Sequence, residues 1–284
     1  MNGVLMAAGC SKRVSVGGRD RRAVAAAAGD VRAGGPVTEA LELTRADMDV
    51  AHDAAAKVGV SVWEGSMPDI DSTDYHDFVI KDGTLIGDFE QMYRRIDDPW
   101  GTVRHAQSLK NDLVVALVRH VASQSPVTRV LHAGCALGAL TARVRDALGA
   151  GVEITGCDIS VTAVEKAAAR HRDIRFLVQD LAQVEALPLA PGSLDLIVMA
   201  ETMWYVLPFL GRLLRGFRML LRPGGHLVMQ QFFPQPGEQT YGREIVAAPD
   251  DLLRFITEAG FAVGAEAHLD PRRNHSMLVW ATAP

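Results

Sequence analysis

Three small residues and two acids decide what chemistry this chain can do. Gly134, Ala136 and Gly138 follow the apolar run Val130-Leu131-His132-Ala133, and Asp158 stands 20 residues beyond Gly138, at the end of the next apolar run. A strand, a tight small-residue bend, a helix and a second strand tipped with a carboxylate make a nucleoside-binding crevice. The bend lets the backbone come close to a ligand, and the acid can take both hydroxyls of a ribose. Asp180 ends the following apolar run and adds a second acid in the equivalent position.

The elements needed to hold those residues can be read along the chain. Leu109, Leu113, Leu117 and Val121 repeat every four residues, with Val114 and Val118 widening the stripe, and predict a helix over 107–123 that Pro126 stops. Strands are then expected at 129–133, 152–157, 174–178, 194–199 and 226–232, with helices at 138–148, 160–170 and 206–221. Such alternation means a parallel sheet wrapped by helices. After a helix near 249–259, two β-rich runs at 261–268 and 274–281 are joined by Asp270-Pro271-Arg272-Arg273, too short for a helical crossover, so they pair as an antiparallel hairpin. The fold class is therefore α/β, a Rossmann-like sheet, mostly parallel with one antiparallel strand, preceded by an N-terminal extension.

Residues 1–37 are rich in Gly and Ala and read as a flexible arm; 38–106 read as an extension that lids the site; 107–284 read as the ligand-binding domain. Within the extension, Thr44 opens a capping box and Met48, Ala51, Ala55 and Val58 recur at helical spacing, while Asp82-Gly83 marks a hairpin within 79–86.

Composition narrows the function. A net charge of −5, with 48% hydrophobic and 22% charged residues, suits a globular enzyme, and no run approaches the ~18 apolar residues of a membrane span. Cys10, Cys135 and Cys157 have neither metal-ligand nor disulfide spacing, so no metal is expected and the cytoplasm is the expected location. Residues 1–40 carry six Lys/Arg against three Asp/Glu, 41–98 five against fourteen, and the remainder eighteen against seventeen. A basic stripe for nucleic acid is absent, and the acidic stretch around Glu64, Asp69, Asp71, Asp74, Asp77, Asp97 and Asp98 is either a solvated face or an attractor for a cationic small molecule.

Taken in order, these motifs resemble those of class I S-adenosylmethionine (SAM) dependent methyltransferases, over roughly residues 89–284. Val130 to Gly138 resembles the first SAM motif, Gly156 to Ser160 the ribose motif, Val178 to Leu181 the adenine motif, Leu194 to Ala200 the fourth strand, and Leu221 to Leu227 the turn into the fifth. The resemblance implies that Gly134, Ala136 and Gly138 approach the methionine part of SAM, that Asp158 binds the ribose diol, that Ile159 stacks on adenine, and that Asp180 with the Leu181 backbone meets the adenine edge. The product would be S-adenosyl-L-homocysteine. Two positions depart from the pattern: His132 replaces the usual acid and brings no negative charge, and Ala136 replaces the central glycine.

Upstream, Phe89 to Gly101 resembles the segment before the SAM domain in N-methyltransferases acting on amino sugars, those of rhizobial nodulation factors and of aminoglycoside pathways. This implies that Tyr93 and Trp100 lie over the cofactor mouth and that the methyl acceptor is an amine of an amino-sugar small molecule. The alternative acceptor is a hydroxyl of a sugar or polyketide.

Methyl transfer from a sulfonium needs a lone pair about 3 Å from the methyl carbon, so positioning and desolvation do most of the work. Glu201, just past the fourth strand, is the first candidate to take the amine proton and also borders the cofactor. Tyr205 is placed to point its hydroxyl at the amine, and Trp204 to offer a π face to a cation. Phe232 and Tyr241 are candidate acceptor contacts, and Gln230 and Gln231 offer amides to sugar hydroxyls. His268 and His275 read as hairpin residues, and Cys135 and Cys157 as buried packing. The sequence leaves the oligomeric state open.

Overall fold

A computed structural model describes residues 3–6, 13–16, 72–235, 237–269 and 275–284. The chain divides into two units, 1–71 and 72–284. In the first, Gly3–Met6 pairs antiparallel with Arg13–Val16 inside the stretch read as a flexible arm; the helix expected after Thr44 and the acids Glu64, Asp69 and Asp71 lie outside the described residues.

The second unit is a seven-stranded sheet between helices. Its strands are β1 (Arg129–Ala133), β2 (Glu153–Asp158), β3 (Arg175–Val178), β4 (Leu194–Ala200), β5 (Leu221–Phe233), β6 (Ala262–Leu269) and β7 (His275–Thr282). The order across the sheet is 3-2-1-4-5-7-6. All neighbours from β3 to β5 are parallel, and β7 runs antiparallel to both β5 and β6. The expected terminal hairpin is present, and its second strand inserts inside the sheet while β6 forms the edge.

The helices are α1 (Phe89–Arg95), α2 (Leu109–Gln124), α3 (Ala139–Leu148), α4 (Val161–Arg170), α5 (Leu210–Leu220) and α6 (Pro249–Glu258). The face of α2 that turns inward is Val114, Val115, Val118 and Val121; Leu109 is exposed, so the stripe is rotated from the one the Leu spacing suggested. With α3, that face packs on Val130, Leu196, Val198 and Val228. On the other face of the sheet, α5 and α6 bury Leu213, Phe217, Leu252 and Ile256 against Ile197, Met199 and Leu227. The helix expected over 206–221 is broken: a short turn of helix, Met203–Val206, and a 3-10 turn, Leu207–Phe209, precede α5. Pro208 in that turn lacks the N–H that a continuous helix would need.

Ahead of the sheet, Ile80–Lys81 and Thr84–Leu85 form the expected hairpin around Asp82 and Gly83, both at positive φ. α1 follows and is tied to α4. Glu90 accepts from Ser160 Oγ (2.7 Å), Thr162 N (3.1 Å) and Thr162 Oγ1 (2.7 Å), and Lys166 Nζ donates to the Tyr93 carbonyl (2.7 Å). A carboxylate at a helix N-terminus gains both orphan donors and the helix dipole. No described helix is long and apolar enough to cross a membrane.

One buried acid clamps the other end of the sheet. Asp195 accepts from Thr128 N (2.8 Å), Thr128 Oγ1 (2.8 Å), Arg129 N (2.9 Å) and Arg222 Nε (2.6 Å), joining the entry to β1, β4 and β5. Burial alone would raise its pKa, but the Arg222 guanidinium and the backbone donors outweigh that and hold it down at about 2. Because the folded value lies below the unfolded one, this stabilisation is full above the ordinary carboxylate pKa and is lost as pH falls through the folded value. Asp195→Asn is expected to cost about 2–4 kcal/mol at pH 7, and the gap from the parent protein should close between about pH 4 and pH 2. Urea midpoints across that range measure it.

Candidate functional site

A cavity of about 960 Å³ runs along the carboxyl edge of the sheet, floored by the ends of β1, β2 and β4 and roofed by residues 75–111. Its volume falls at the upper end of the ~300–1,000 Å³ usual for ligand sites. β1 and β4 are neighbours, but the chain leaves them toward helices on opposite faces, which opens a crevice between them.

At the floor, Gly134 N and Cys135 N both donate to the Cys157 carbonyl (2.9 Å each), folding the bend back on β2. Asp158 Oδ2 accepts from Ala136 N (2.9 Å) and Oδ1 from Ser160 N (3.1 Å). Burial raises the Asp158 pKa, backbone donors at Ser160, Ala136 and Ile159 oppose that, and Glu90 adds a like charge. Ile159 stands 40% exposed beside it, an apolar side chain facing the cavity. Gln179, Asp180 and Leu181 line the same end. Asp180 accepts from Ala182 N (2.8 Å) and so also caps the turn that follows β3.

The small residues of the bend serve packing as much as ligand approach. Gly134 has φ +72°, and a Cβ there would run into the Thr202 side chain. Gly138, at φ +80°, does not line the cavity, contrary to the role the resemblance implied; a Cβ on it would lie 2.8 Å from the Phe176 ring. Ala136 sits at φ +49°, in the left-handed region where a side chain is strained. His132 is buried, its Nδ1 2.7 Å from Thr141 Oγ1, and its Nε2 has no hydrogen-bond partner. Burial pushes its pKa down to about 4, so it is neutral near pH 7.

Glu201 also has a left-handed backbone, φ +54°. Its Oε1 meets Lys110 Nζ and accepts from Gln230 Nε2 (3.0 Å), and its Oε2 accepts from Phe232 N (3.1 Å). These three donors tie the Glu201 carboxylate into the cavity wall. Lys110 gave no signal in the sequence, since it belongs to α2, 91 residues away from its partner.

The roof is aromatic. Trp100 lies 4.8 Å from Tyr75 and 5.6 Å from Tyr205 between ring centroids, and Phe89 meets Tyr205 edge-on at 5.2 Å. Tyr93 is fully buried with its hydroxyl on the Trp100 indole. Tyr75 and Phe89 were not anticipated: isolated aromatics in an extension carry no periodic signature. His76 also lines the cavity, with its Nδ1 held 2.7 Å from Asp74 Oδ1 and its ring stacked on Tyr75.

Other expected contacts fall differently. Trp204 borders the cavity but belongs to the core, its indole N–H spent on the Phe232 carbonyl (2.8 Å). Phe232 lines the cavity; Tyr241 does not, and packs against the core with its hydroxyl buried and unpartnered. Gln230 and Gln231 are buried, bonded to Glu201 and to Met203 N. Of the acidic stretch, Asp74 pairs with His76, Asp77 with Lys81 and Asp97 with Lys166, while Asp98 caps the turn at Val103 and Arg104. Cys135 and Cys157 are buried and free, and burial pushes both thiols up, that of Cys157 to about 12. His268 and His275 face each other across the β6–β7 pair at 2.8 Å. No group of three or more metal-ligating side chains occurs among the described residues.

Residues 131–227 match the family described as a methyltransferase domain. The chain is 26% identical to nodulation protein S of Sinorhizobium fredii over 152 residues, which is 51% of this chain and 66% of that protein. It is 31% identical to highly reducing polyketide synthase 2 of Gibberella zeae over 172 residues, 55% of this chain and 6% of that one. It thus spans just under two thirds of the first relative and a small segment of the second. The fold is shared with the N-methyltransferase NodS of Bradyrhizobium japonicum, solved with S-adenosyl-L-homocysteine, at TM-score 0.52 and 22% identity over 66% of this chain and 93% of that one. Residues 131–227 thus match a methyltransferase domain, on a fold shared with that N-methyltransferase. The cavity fits SAM: the Asp158 carboxylate suits a diol, exposed Ile159 offers an apolar face for a base, and the orphaned Nε2 of His132 lacks a polar partner.

Two substitutions separate packing from strain in the bend. Gly134→Ala is expected to cost about 1–3 kcal/mol, from overpacking on Thr202 at a left-handed position. Ala136→Gly should leave stability unchanged or raise it by up to ~1 kcal/mol. Thermal unfolding of the two proteins tests the contrast.

Proposed function

We propose that this chain transfers a methyl group from SAM to an amine of an amino-sugar small molecule, a step of the kind found in aminoglycoside antibiotic biosynthesis. The observation that carries the reading is the charge of the cavity: Asp82, Asp158, Asp180, Glu201 and Glu238 line it against Lys110 as the one lysine or arginine among the described lining residues. Carboxylates and electron-rich ring faces both favour cations, and here they surround one space. The likeness to an N-methyltransferase supports an amine as the acceptor.

Bound SAM would supply an electrophilic methyl on a sulfonium. Asp158 would hold the ribose, Ile159 and Leu181 the adenine, with Asp180 at its edge. Trp100, Tyr75, Tyr205 and Phe89 would exclude water and seat the acceptor nitrogen. Burial raises the Tyr205 pKa well above its usual value, so its hydroxyl stays protonated and serves to orient the amine. An alkyl ammonium near pKa ~10.4 must lose a proton before it can attack. With Glu201 engaged, His76 takes that role in this reading: Asp74 fixes its Nδ1–H and leaves Nε2 to accept the proton and release it to solvent.

A second reading, methyl transfer to a sugar or polyketide hydroxyl, is favoured by the match to a polyketide synthase segment. Labelled SAM with separate amine and hydroxyl acceptors decides between them: label on nitrogen is expected, and label on oxygen alone overturns the amine reading.

Asp158→Ala should weaken S-adenosyl-L-homocysteine binding ~10- to 100-fold in calorimetry, the scale of charge-assisted hydrogen bonds; an unchanged Kd would remove Asp158 from the ribose. With a polycationic acceptor, KM should rise with ionic strength while cofactor affinity stays nearly flat, because screening acts on the charged acceptor.

A further inference from the structure

The end of the cavity remote from Asp158 has walls of a different kind. β2 and β5 are three strands apart in the sheet, about 14 Å at the usual ~4.8 Å spacing. Over the β5 end lies the hairpin around Gly83. A Cβ on that glycine would stand 2.5 Å from Thr240 Oγ1, so the hairpin tip rests on the loop that leaves β5, and both residues line the cavity. Phe89, just after the hairpin, meets Tyr205 edge-on, which holds it on the other side. At this end the lining is Val79, Ile80, Val206, Phe209 and Phe232, none of which offers a side-chain donor or acceptor. Polar groups beside them are already engaged: the Trp204 indole N–H on the Phe232 carbonyl, Glu238 on Gln235 N (2.8 Å) and Gln239 Nε2 on the Tyr241 carbonyl (3.0 Å). Asp82, Glu238 and Thr240 are exposed at the edge of the same space.

We infer that this end of the cavity seats the apolar face of a deoxygenated amino sugar, a ring that carries a methyl or methylene where a common sugar carries a hydroxyl. The inference rests on the amine reading above and narrows it. A hydroxyl pressed against these five side chains would lose its water and find no partner on them, whereas a methyl gains from the same burial. The amine then points back toward Tyr205 and His76, and the remaining hydroxyls of the ring toward the exposed Asp82, Glu238 and Thr240. Gly83 completes the wall: with no Cβ, and at φ +71°, it lets the hairpin tip reach Thr240 and cover the apolar lining. The cavity's carboxylates select for positive charge; this wall selects among amines by the oxygens they lack.

The test offers labelled SAM with amino sugars in pairs that differ only in the 6-hydroxyl, the amine standing at each ring position in turn. For the pair that accepts label, kcat/KM is expected to be ~10- to 100-fold higher for the 6-deoxy member, the scale on which an apolar pocket rejects an added hydroxyl. Ile80→Thr keeps the branched shape and adds a hydroxyl, so it should shrink that ratio ~3-fold or more while S-adenosyl-L-homocysteine affinity stays within about twofold. Phe232→Tyr repeats the test at a second lining position should Ile80→Thr fold poorly. Equal rates for the two members, a preference for the hydroxylated one, or a ratio that neither variant moves would overturn the inference. Label on none of the amines, with S-adenosyl-L-homocysteine still bound, would overturn the amine reading and this inference with it; failure to bind S-adenosyl-L-homocysteine would overturn the cofactor reading itself.

Discussion

The adjacency of β1 and β4 at the centre of the sheet is the constraint on which the rest depends. Parallel pairing aligns the carboxyl ends of β2, β1, β4 and β5 along one edge, so residues far apart in the chain, such as Asp158 and Glu201, arrive together. The Gly134 and Cys135 amides then donate to the Cys157 carbonyl, and Asp158 receives Ala136 N. Each bond closes the bend against β2, and together they turn a loop that could wander into a floor. The strain at Ala136 is tolerated because these bonds over-determine the local backbone.

The roof is built by a different logic. α1 has only seven residues and could not persist alone; it is held by Glu90 on the N-terminus of α4 and by Lys166 on the Tyr93 carbonyl. Since α4 begins three residues after Asp158, the aromatic roof and the Asp158 end of the cavity share one anchor. Burial raises the Asp158 carboxyl and the like charge of Glu90 adds to it, so electrostatics as well as packing links them.

Much of the fold was legible in the sequence because its signals are local. Apolar runs separated by amphipathic segments placed every strand of the sheet, to within one residue at each end except for β5, which begins five residues earlier than expected, and the four-residue linker at 270–273 was too short for anything but antiparallel return. Errors arose where a local signal had two readings. The stripe expected on α2 is centred on its valines: Val114, Val118 and Val121 are buried with Val115, Leu113 and Leu117 pack at its margin, and Leu109 is exposed. Gly138 looked like a ligand-facing residue, yet its missing Cβ makes room for Phe176 from β3, a neighbour that no spacing along the chain reveals. Gln230 and Gln231 looked available for sugar hydroxyls and are bonded inside the protein, because polar groups on a buried strand must first satisfy the protein itself.

By itself, the sequence determined the order of elements, the small-residue bend, and the acids at the tips of β2 and β3, since hydrophobic periodicity and turn chemistry act over a few residues. Only the tertiary structure decided which charges meet and which rings converge. Lys110 and Glu201 lie 91 residues apart, and Tyr75, Trp100 and Tyr205 come from three separate segments. Their pairing follows from strand order and helix docking, which minimise unpaired charge and unburied surface across the whole domain rather than along any one stretch of chain.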